Sequence, residues 1–374
     1  MIETRRFRAT ALTPVHIGTG KAMAPEEYFV RESRLVRFRP EAVLRRRPPR
    51  EREQFENLLR AGNLGEAWTR LRTWAAADRE SWLYEIAVGA GSRDELGRNL
   101  DPSRRRGEVY TLHWNLARRQ AIVPGSAVKG ALRTAFVNAC AQARAGELGE
   151  RLEELKSRLR ERWRRTNEVW KFLEEQALGL TRRPDEGEPI DPLAMLRVAD
   201  ATVAPEMVRV DRAEVRLRDG NASTRGIQLH YERLLSKADG GAAQFVLEIG
   251  IDRGRAEDRR VKRLLGRPLD WNFLVQAANH FSFGRLEAER RRFTFLGESA
   301  ARWLPGGEWW AGGRMLLRLG RFSHFESLSV EGLRDGYSPQ RRRPISEGDS
   351  RTVLVTDHGP VSFGWVLLEP EASR

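Results

Sequence analysis

Three glycine-punctuated segments, far apart in the chain, carry residue types suited to holding a phosphate. They are Thr13-Pro14-Val15-His16-Ile17-Gly18-Thr19-Gly20, Val123-Pro124-Gly125-Ser126-Ala127-Val128-Lys129-Gly130-Ala131-Leu132-Arg133 and Leu319-Gly320-Arg321-Phe322-Ser323-His324-Phe325. Glycine lets a backbone approach a ligand closely and adopt positive φ. Turns and helix N-termini offer N–H groups to anions. Lys129 and Arg133 stand four residues apart just past a glycine turn. That spacing places two cations on one helix face, as a phosphate clamp or as an exposed face with incidental charge. Arg318 and Arg321 flank Gly320 and invite the same two readings. The runs 290–292 and 341–343, all arginine, are weaker signals, because charge runs are usually solvated faces.

A metal-independent ribonuclease needs a general base near the 2′-hydroxyl and a cation near the phosphate. Of the six histidines, His16 and His324 are the best placed, since both sit in glycine loops. A histidine that satisfies loop or core hydrogen bonds, or stacks on RNA, is the competing assignment. Metal-dependent cleavage needs clustered carboxylates, and Asp101, Asp200 and Asp211 are the candidates in view, with Asp200 also suited to ordering a turn. The phosphate-loop, dinucleotide, zinc-protease and serine-elbow motifs do not occur. The sequence therefore assigns no catalytic residue, no cofactor and no metal site.

Composition narrows the partner. Lys and Arg total 66 in 374 residues, the net charge is +14, and only six of the basic residues are lysine. Arginine's planar fork suits phosphates and stacks on bases. A GC-rich or thermophilic genome would also favour arginine, but the net positive excess points separately to a polyanion. A lone cysteine, Cys140, in a helix-like apolar context excludes an intrachain disulfide framework. With no run of 18 apolar residues and no hydrophobic leader, a cytoplasmic protein without membrane contact is expected.

These residues need elements to position them. Strands are expected over 5–12, in a hairpin over 28–38 turning at Glu32-Ser33, and over 110–114, 195–201, 207–217, 245–251, 313–320 and 361–368. Helical spacing runs through Phe55, Leu58, Trp68, Leu71 and Trp74 after a basic, proline-containing break at 45–52. A second helix opens at Pro124-Gly125-Ser126, with Ser126 as its N-cap and Val128, Leu132, Phe136 and Ala139 as its buried face. A third covers 147–178, laced by Glu147/Arg151, Glu154/Arg158 and Glu161/Arg165 pairs. Asp270 caps another at Trp271. Residues 89–107 and 219–226 read as mobile segments. Segregated helices and antiparallel strands make an α+β chain. Trp309-Trp310 fit base stacking or packing between subunits, and the aromatic-rich stretch 51–87 fits either a core layer or a docking face.

The ordered set Leu12-to-Gly20, Pro124-to-Arg133, Leu196-Arg197-Val198-Ala199-Asp200-Ala201 and Leu317-to-Gly320 resembles the RAMP superfamily of CRISPR proteins. It looks most like the subunit at the crRNA 3′ end of type III-A Csm effector complexes. The resemblance implies two RRM-like (ferredoxin-like) domains, 1–204 with helical insertions at about 45–107 and 147–178, and 205–374 with the glycine loop. It implies a non-catalytic crRNA-binding subunit that caps the backbone filament and supports crRNA maturation. The implied partners are crRNA, the sister subunits (chiefly the backbone RAMP subunit) and a host maturation nuclease. RNA contacts are then expected at His16, Gly18, Gly20, Ser126, Lys129, Arg133, Arg318, Gly320, Arg321 and His324. Two alternatives stay open: a RAMP endoribonuclease, and an RNA-binding protein outside CRISPR. The family's glycine loop usually holds several glycines, whereas this one has Gly320 followed by Arg321 and His324, so side chains there are candidates for the contacts.

Overall fold

A computed structural model describes residues 1–97, 107–159, 168–180, 191–223, 229–265, 269–334, 336–338 and 343–371. Asp101, Trp163, the Glu161/Arg165 pair, Arg341 and Arg342 lie outside the described residues.

The first sheet has five strands, in the order Met315–Arg318, Trp365–Pro370, Ile2–Ala11, Gln244–Asp252 and Leu196–Val198, with every pairing antiparallel. Strict alternation builds its buried face. Phe7 and Ala9 pair across to Leu247 and Phe245, Ala11 pairs with Val366, and all of these are buried. Helices Gly125–Gln142 and Trp271–Arg292 cover that face and pack on each other, with Phe136 edge-on to Phe273 at 5.3 Å and Phe7 5.9 Å from Trp271. Along the chain this reads strand, helix, strand, strand, helix, strand. In space the last strand lies beside the first and the third separates the first from the second. That is the ferredoxin-like arrangement, with Met315–Arg318 added at the edge.

The second sheet is larger and mixed. It runs Tyr28–Arg31, Arg34–Phe38, Trp82–Val88, Val208–Leu217, Leu229–Leu234, Val109–Asn115, Gln120–Val123 and Ala201–Val203, with Ser350–Thr356 and Gly18–Met23 branching from it. Both sheets draw strands from either side of residue 204, so the strand pairing interleaves the two halves of the chain.

Helices Pro49–Arg60 and Leu64–Ala77 pack Phe55, Ala67, Leu71 and Ala75 on Phe29, Val36 and Phe38 of the second sheet. Trp74 and Trp82 are partly covered within this cluster, each with an arginine over its ring. The 51–87 stretch is thus a core layer, and its aromatics leave no broad exposed face. Of the helix expected over 147–178, Ala145–Leu159 and Glu168–Ala177 are helical, and 160–167 lies outside the described residues. The expected mobile segment 89–107 begins with a helix, Ala90–Gly97, and 98–106 lies outside the described residues. Of the expected tip 219–226, only 219–223 is described. Among the described residues no helix is long and apolar enough to cross a membrane.

Candidate nucleic-acid interface

The motif segments meet at the seam between the two sheets. Ile2–Ala11 leaves the first sheet, runs through Leu12–Ile17 and enters the second as Gly18–Met23. Leu196–Val198 ends in the first sheet, and Ala201–Val203 begins in the second. Gly359–Ser362 and Trp365–Pro370 make the same crossing at Gly364. The glycine loop after Met315–Arg318 closes the seam: Arg321 N–H donates to His16 O at 2.8 Å, Leu319 N–H to Gly364 O at 2.8 Å, and Gly364 N–H to Pro14 O at 2.8 Å.

Two of the five motif glycines, Gly125 and Gly320, therefore admit the chain's own backbone where a ligand was expected, as does Gly364. A Cβ on Gly320 (φ +81°) would stand 2.3 Å from His16 O. On Gly125 it would stand 2.2 Å from Val198 O, and on Gly364 2.6 Å from Leu319 O. At Gly18 the obstacle is the His16 ring, 2.3 Å away at Nε2. Gly20 differs: it has φ +79°, and nothing lies within 4 Å of its would-be Cβ.

The two histidines are scaffold. His16 is 1% exposed, its Nδ1–H donates to Glu232 O at 2.6 Å, and its ring meets Tyr231 edge-on at 5.1 Å. Burial pulls its imidazole down to about 4, with Arg321 and His113 adding to the effect. His324 (φ 59°) lies among Arg351, Arg318, Glu289 and Glu326, and burial followed by the two arginines pulls it down to about 3. The His16 ring is closed to an RNA, so the expected contact at His16 is corrected to an internal role, whereas the His324 ring is half-buried beside the charged set. The unfolded imidazoles titrate near 6.5, so the unfolded chain binds more protons between there and the folded values. Stability is full above about pH 6.5 and falls as pH drops through about 4 for His16 and about 3 for His324. Unfolding midpoints measured from pH 7 to 5 are expected to fall, and less steeply in His16→Asn. An identical fall in the variant would contradict this assignment.

Three expected phosphate ligands are also spent inside the chain. Arg318 is 5% exposed in its side chain, pairs with Glu289 at 2.9 Å, donates to Phe363 O at 3.1 Å and lies 5.0 Å from the Trp365 ring centre. Arg133 bridges Glu174 at 2.5 Å and Asp191 at 2.6 Å. The Lys129 ammonium donates to Leu196 O at 2.9 Å. The clamp reading of Lys129 and Arg133 gives way to helix anchoring. Accordingly, Arg133→Ala is expected to cost about 1–2 kcal/mol of stability in denaturant unfolding, with the salt dependence of RNA binding unchanged. A reduced salt slope in the folded variant would restore the clamp.

Ser126 is exposed in the first helical turn, and the N-cap position belongs to Pro124. The cap expected at Ser126 thus stands two residues earlier. The Asp200 carboxylate accepts from Gly125 N–H at 2.7 Å across the seam, a turn-ordering part that suits its position.

What remains open is local. Arg321 is exposed, and its guanidinium carbon lies 4.8 Å from the centre of the Tyr110 ring. Gly18–Met23 pairs Ala22 with Tyr110, so the exposed turn at Gly20 follows the same strand, Val109–Asn115. On the other side of the glycine loop a cleft of about 820 Å³ is lined by Gly130, Arg133, Trp170, Gly320, Ser323 and Phe325, among others. Sequence reasoning missed Tyr110, since an isolated tyrosine in a strand carries no motif. Among the described residues no group of three or more His, Cys, Asp or Glu side chains is arranged to hold a metal.

A model of the RAMP superfamily matches residues 8–221. No curated protein matches the chain by sequence. Csm5 of T. onnurineus is similar in structure, with TM-score 0.58 and 20% identity over 96% of this chain and 99% of that one. A chain in a cryo-EM structure of a Csm–crRNA–target RNA ternary complex of a type III-A CRISPR-Cas system has TM-score 0.59 and 18% identity, over 98% of this chain and 100% of its own length.

Proposed function

The chain belongs to the RAMP superfamily, and from that premise we propose that it is a non-catalytic crRNA-binding subunit of a type III-A CRISPR Csm complex. In this reading it sits at the crRNA 3′ end, caps the backbone filament and supports maturation of the guide. One observation carries the reading: the structural likeness runs end to end, over 98% of this chain and all of a chain from a Csm–crRNA–target RNA complex. The ferredoxin-like sheet alone is too widespread a fold to single out a subunit. Likeness that extends through the second sheet and the helices inserted in it is more selective. The non-catalytic part rests on His16 being buried and on both candidate bases, His16 and His324, being held neutral. RNA contact is assigned to the open part of the interface, Arg321, the Gly20 turn and Ser126, and sister subunits are the expected protein partners.

Co-expression with the sister subunits and a crRNA tests this. The chain is expected to copurify, and its omission should leave a filament with untrimmed, uneven crRNA 3′ ends. Affinity of the purified chain for single-stranded RNA should fall steeply between about 50 and 200 mM salt, because phosphate contacts release counterions. A filament that assembles and matures its guide identically without the chain would overturn the reading. Cleavage of precursor or target RNA by the purified chain, with or without Mg²⁺, would favour a ribonuclease.

A further inference from the structure

The geometry points to a nucleobase-stacking site on Arg321, with Tyr110 as the residue that holds the guanidinium in place. This rests on the reading of the chain as an RNA-binding subunit and adds the mode of contact. Arg321 lies over a built aromatic layer: its guanidinium carbon is 4.8 Å from the Tyr110 centroid, 5.6 Å from Tyr231 and 5.7 Å from Phe322. Tyr110 and Tyr231 are neighbours across a parallel strand pair, with centroids 5.1 Å apart and planes 20° apart. Tyr231 is buried and gripped edge-on by His16 at 5.1 Å and Phe322 at 5.0 Å. The backbone of Arg321 is fixed by its N–H bond to His16 O.

Charge separates Arg321 from two other arginines of the motifs, Arg133 and Arg318. Arg133 is neutralised by Glu174 and Asp191, and Arg318 by Glu289. Arg321 is exposed and has no carboxylate partner among the described residues. A guanidinium seated on a ring, with its outer side in water, keeps a planar face for a base and an N–H edge for a phosphate. The open turn at Gly20 gives a strand room to run past Tyr110. The ligand this fits is single-stranded RNA with an unpaired base. Because every base has a π-face, the site tolerates any sequence.

The test titrates the full chain with a short oligouridylate and with a ribose-phosphate oligomer of the same length lacking bases. Wild type is expected to bind the base-bearing oligomer about tenfold more tightly. Arg321→Lys keeps the charge, so it should keep the salt slope and lose the preference for bases. Arg321→Ala should lose the preference and about 0.7 of a unit of slope. Tyr110→Phe should behave as wild type, and Tyr110→Ala should lose the preference while remaining folded. Equal affinity of wild type for both oligomers overturns the stacking site and leaves RNA binding intact, as does an Arg321→Lys variant that still prefers bases. Tyr110→Ala with its preference intact removes the positioning role. A wild-type chain that binds neither oligomer overturns the RNA-binding reading itself.

Discussion

Replacing Glu289 by alanine is expected to cost about 3–5 kcal/mol of folding free energy, the range for removing one partner of a buried ion pair. Glu289 is 2% exposed and lies near the end of helix Trp271–Arg292. One carboxylate oxygen takes Arg318 at 2.9 Å and Arg351 at 2.8 Å, and the other takes the Ser362 hydroxyl at 3.0 Å and the Trp365 indole at 3.4 Å. Arg351 continues to Glu326 at 3.0 Å, and Glu326 accepts from Gly348 N–H at 2.7 Å. Two arginines thus face two carboxylates in a closed, buried set, and alanine would leave an uncompensated positive charge there. The same set reaches the glycine loop, since Arg318 also donates to Phe322 O at 3.4 Å, so RNA binding through Arg321 should weaken with stability. Burial works against the Glu289 charge, but Arg318 and Arg351 overcome it and hold the carboxyl at about 2, below its usual 4.5. Its contribution is therefore present above about pH 4.5 and lost as pH falls through about 2. Urea unfolding at pH 7 and pH 3 checks both parts. A Glu289→Ala protein within about 1 kcal/mol of wild type at pH 7 would show the cluster to be dispensable.

Much of the fold was legible because period-2 and period-3.6 patterns mark elements whatever their partners. The turn at Glu32-Ser33, the Asp270 cap on Phe273 N–H and the buried helix face around Cys140 all stand where the pattern placed them. The stretch 195–201 reads as one strand by the same logic, yet it divides, because its two ends serve different sheets. Nothing in seven residues encodes that change of partner. The site was harder for a related reason. A glycine next to a cation has one sequence signature, whether the close approach is to a phosphate or to the chain's own carbonyl. Gly125, Gly320 and Gly364 turned out to face carbonyls, and Arg133 and Arg318 face carboxylates that are remote in sequence. Arg321 kept its charge open, but Tyr110, more than 200 residues away, gave no sign that it would lie beneath it.

A pair of glycine substitutions distinguishes the two uses of glycine by magnitude. Gly20 and Gly320 have nearly the same backbone, φ +79° and +81°. Gly20→Ala meets no atom within 4 Å, so it should carry only the left-handed backbone cost, about 1 kcal/mol. Gly320→Ala carries that cost and also drives a methyl to 2.3 Å from His16 O and 3.0 Å from the Ile17 side chain. The carbonyl has little freedom to retreat. It accepts from Arg321 N–H, the His16 ring is tied to Glu232 O, and Pro14 O just before it holds Gly364 N–H. Relief requires opening the seam, for a total of about 3 kcal/mol or more. Opening it also moves Arg321 off Tyr110, so Gly320→Ala should lose RNA affinity at temperatures where the protein is still folded. Gly20→Ala should lose stability slightly and affinity only as far as its turn touches the strand. Denaturant midpoints and RNA titrations on the two variants decide the matter. Equal destabilisation would mean that the contact between Gly320 and His16 does not hold the two sheets together, and that backbone conformation alone explains why glycine stands there.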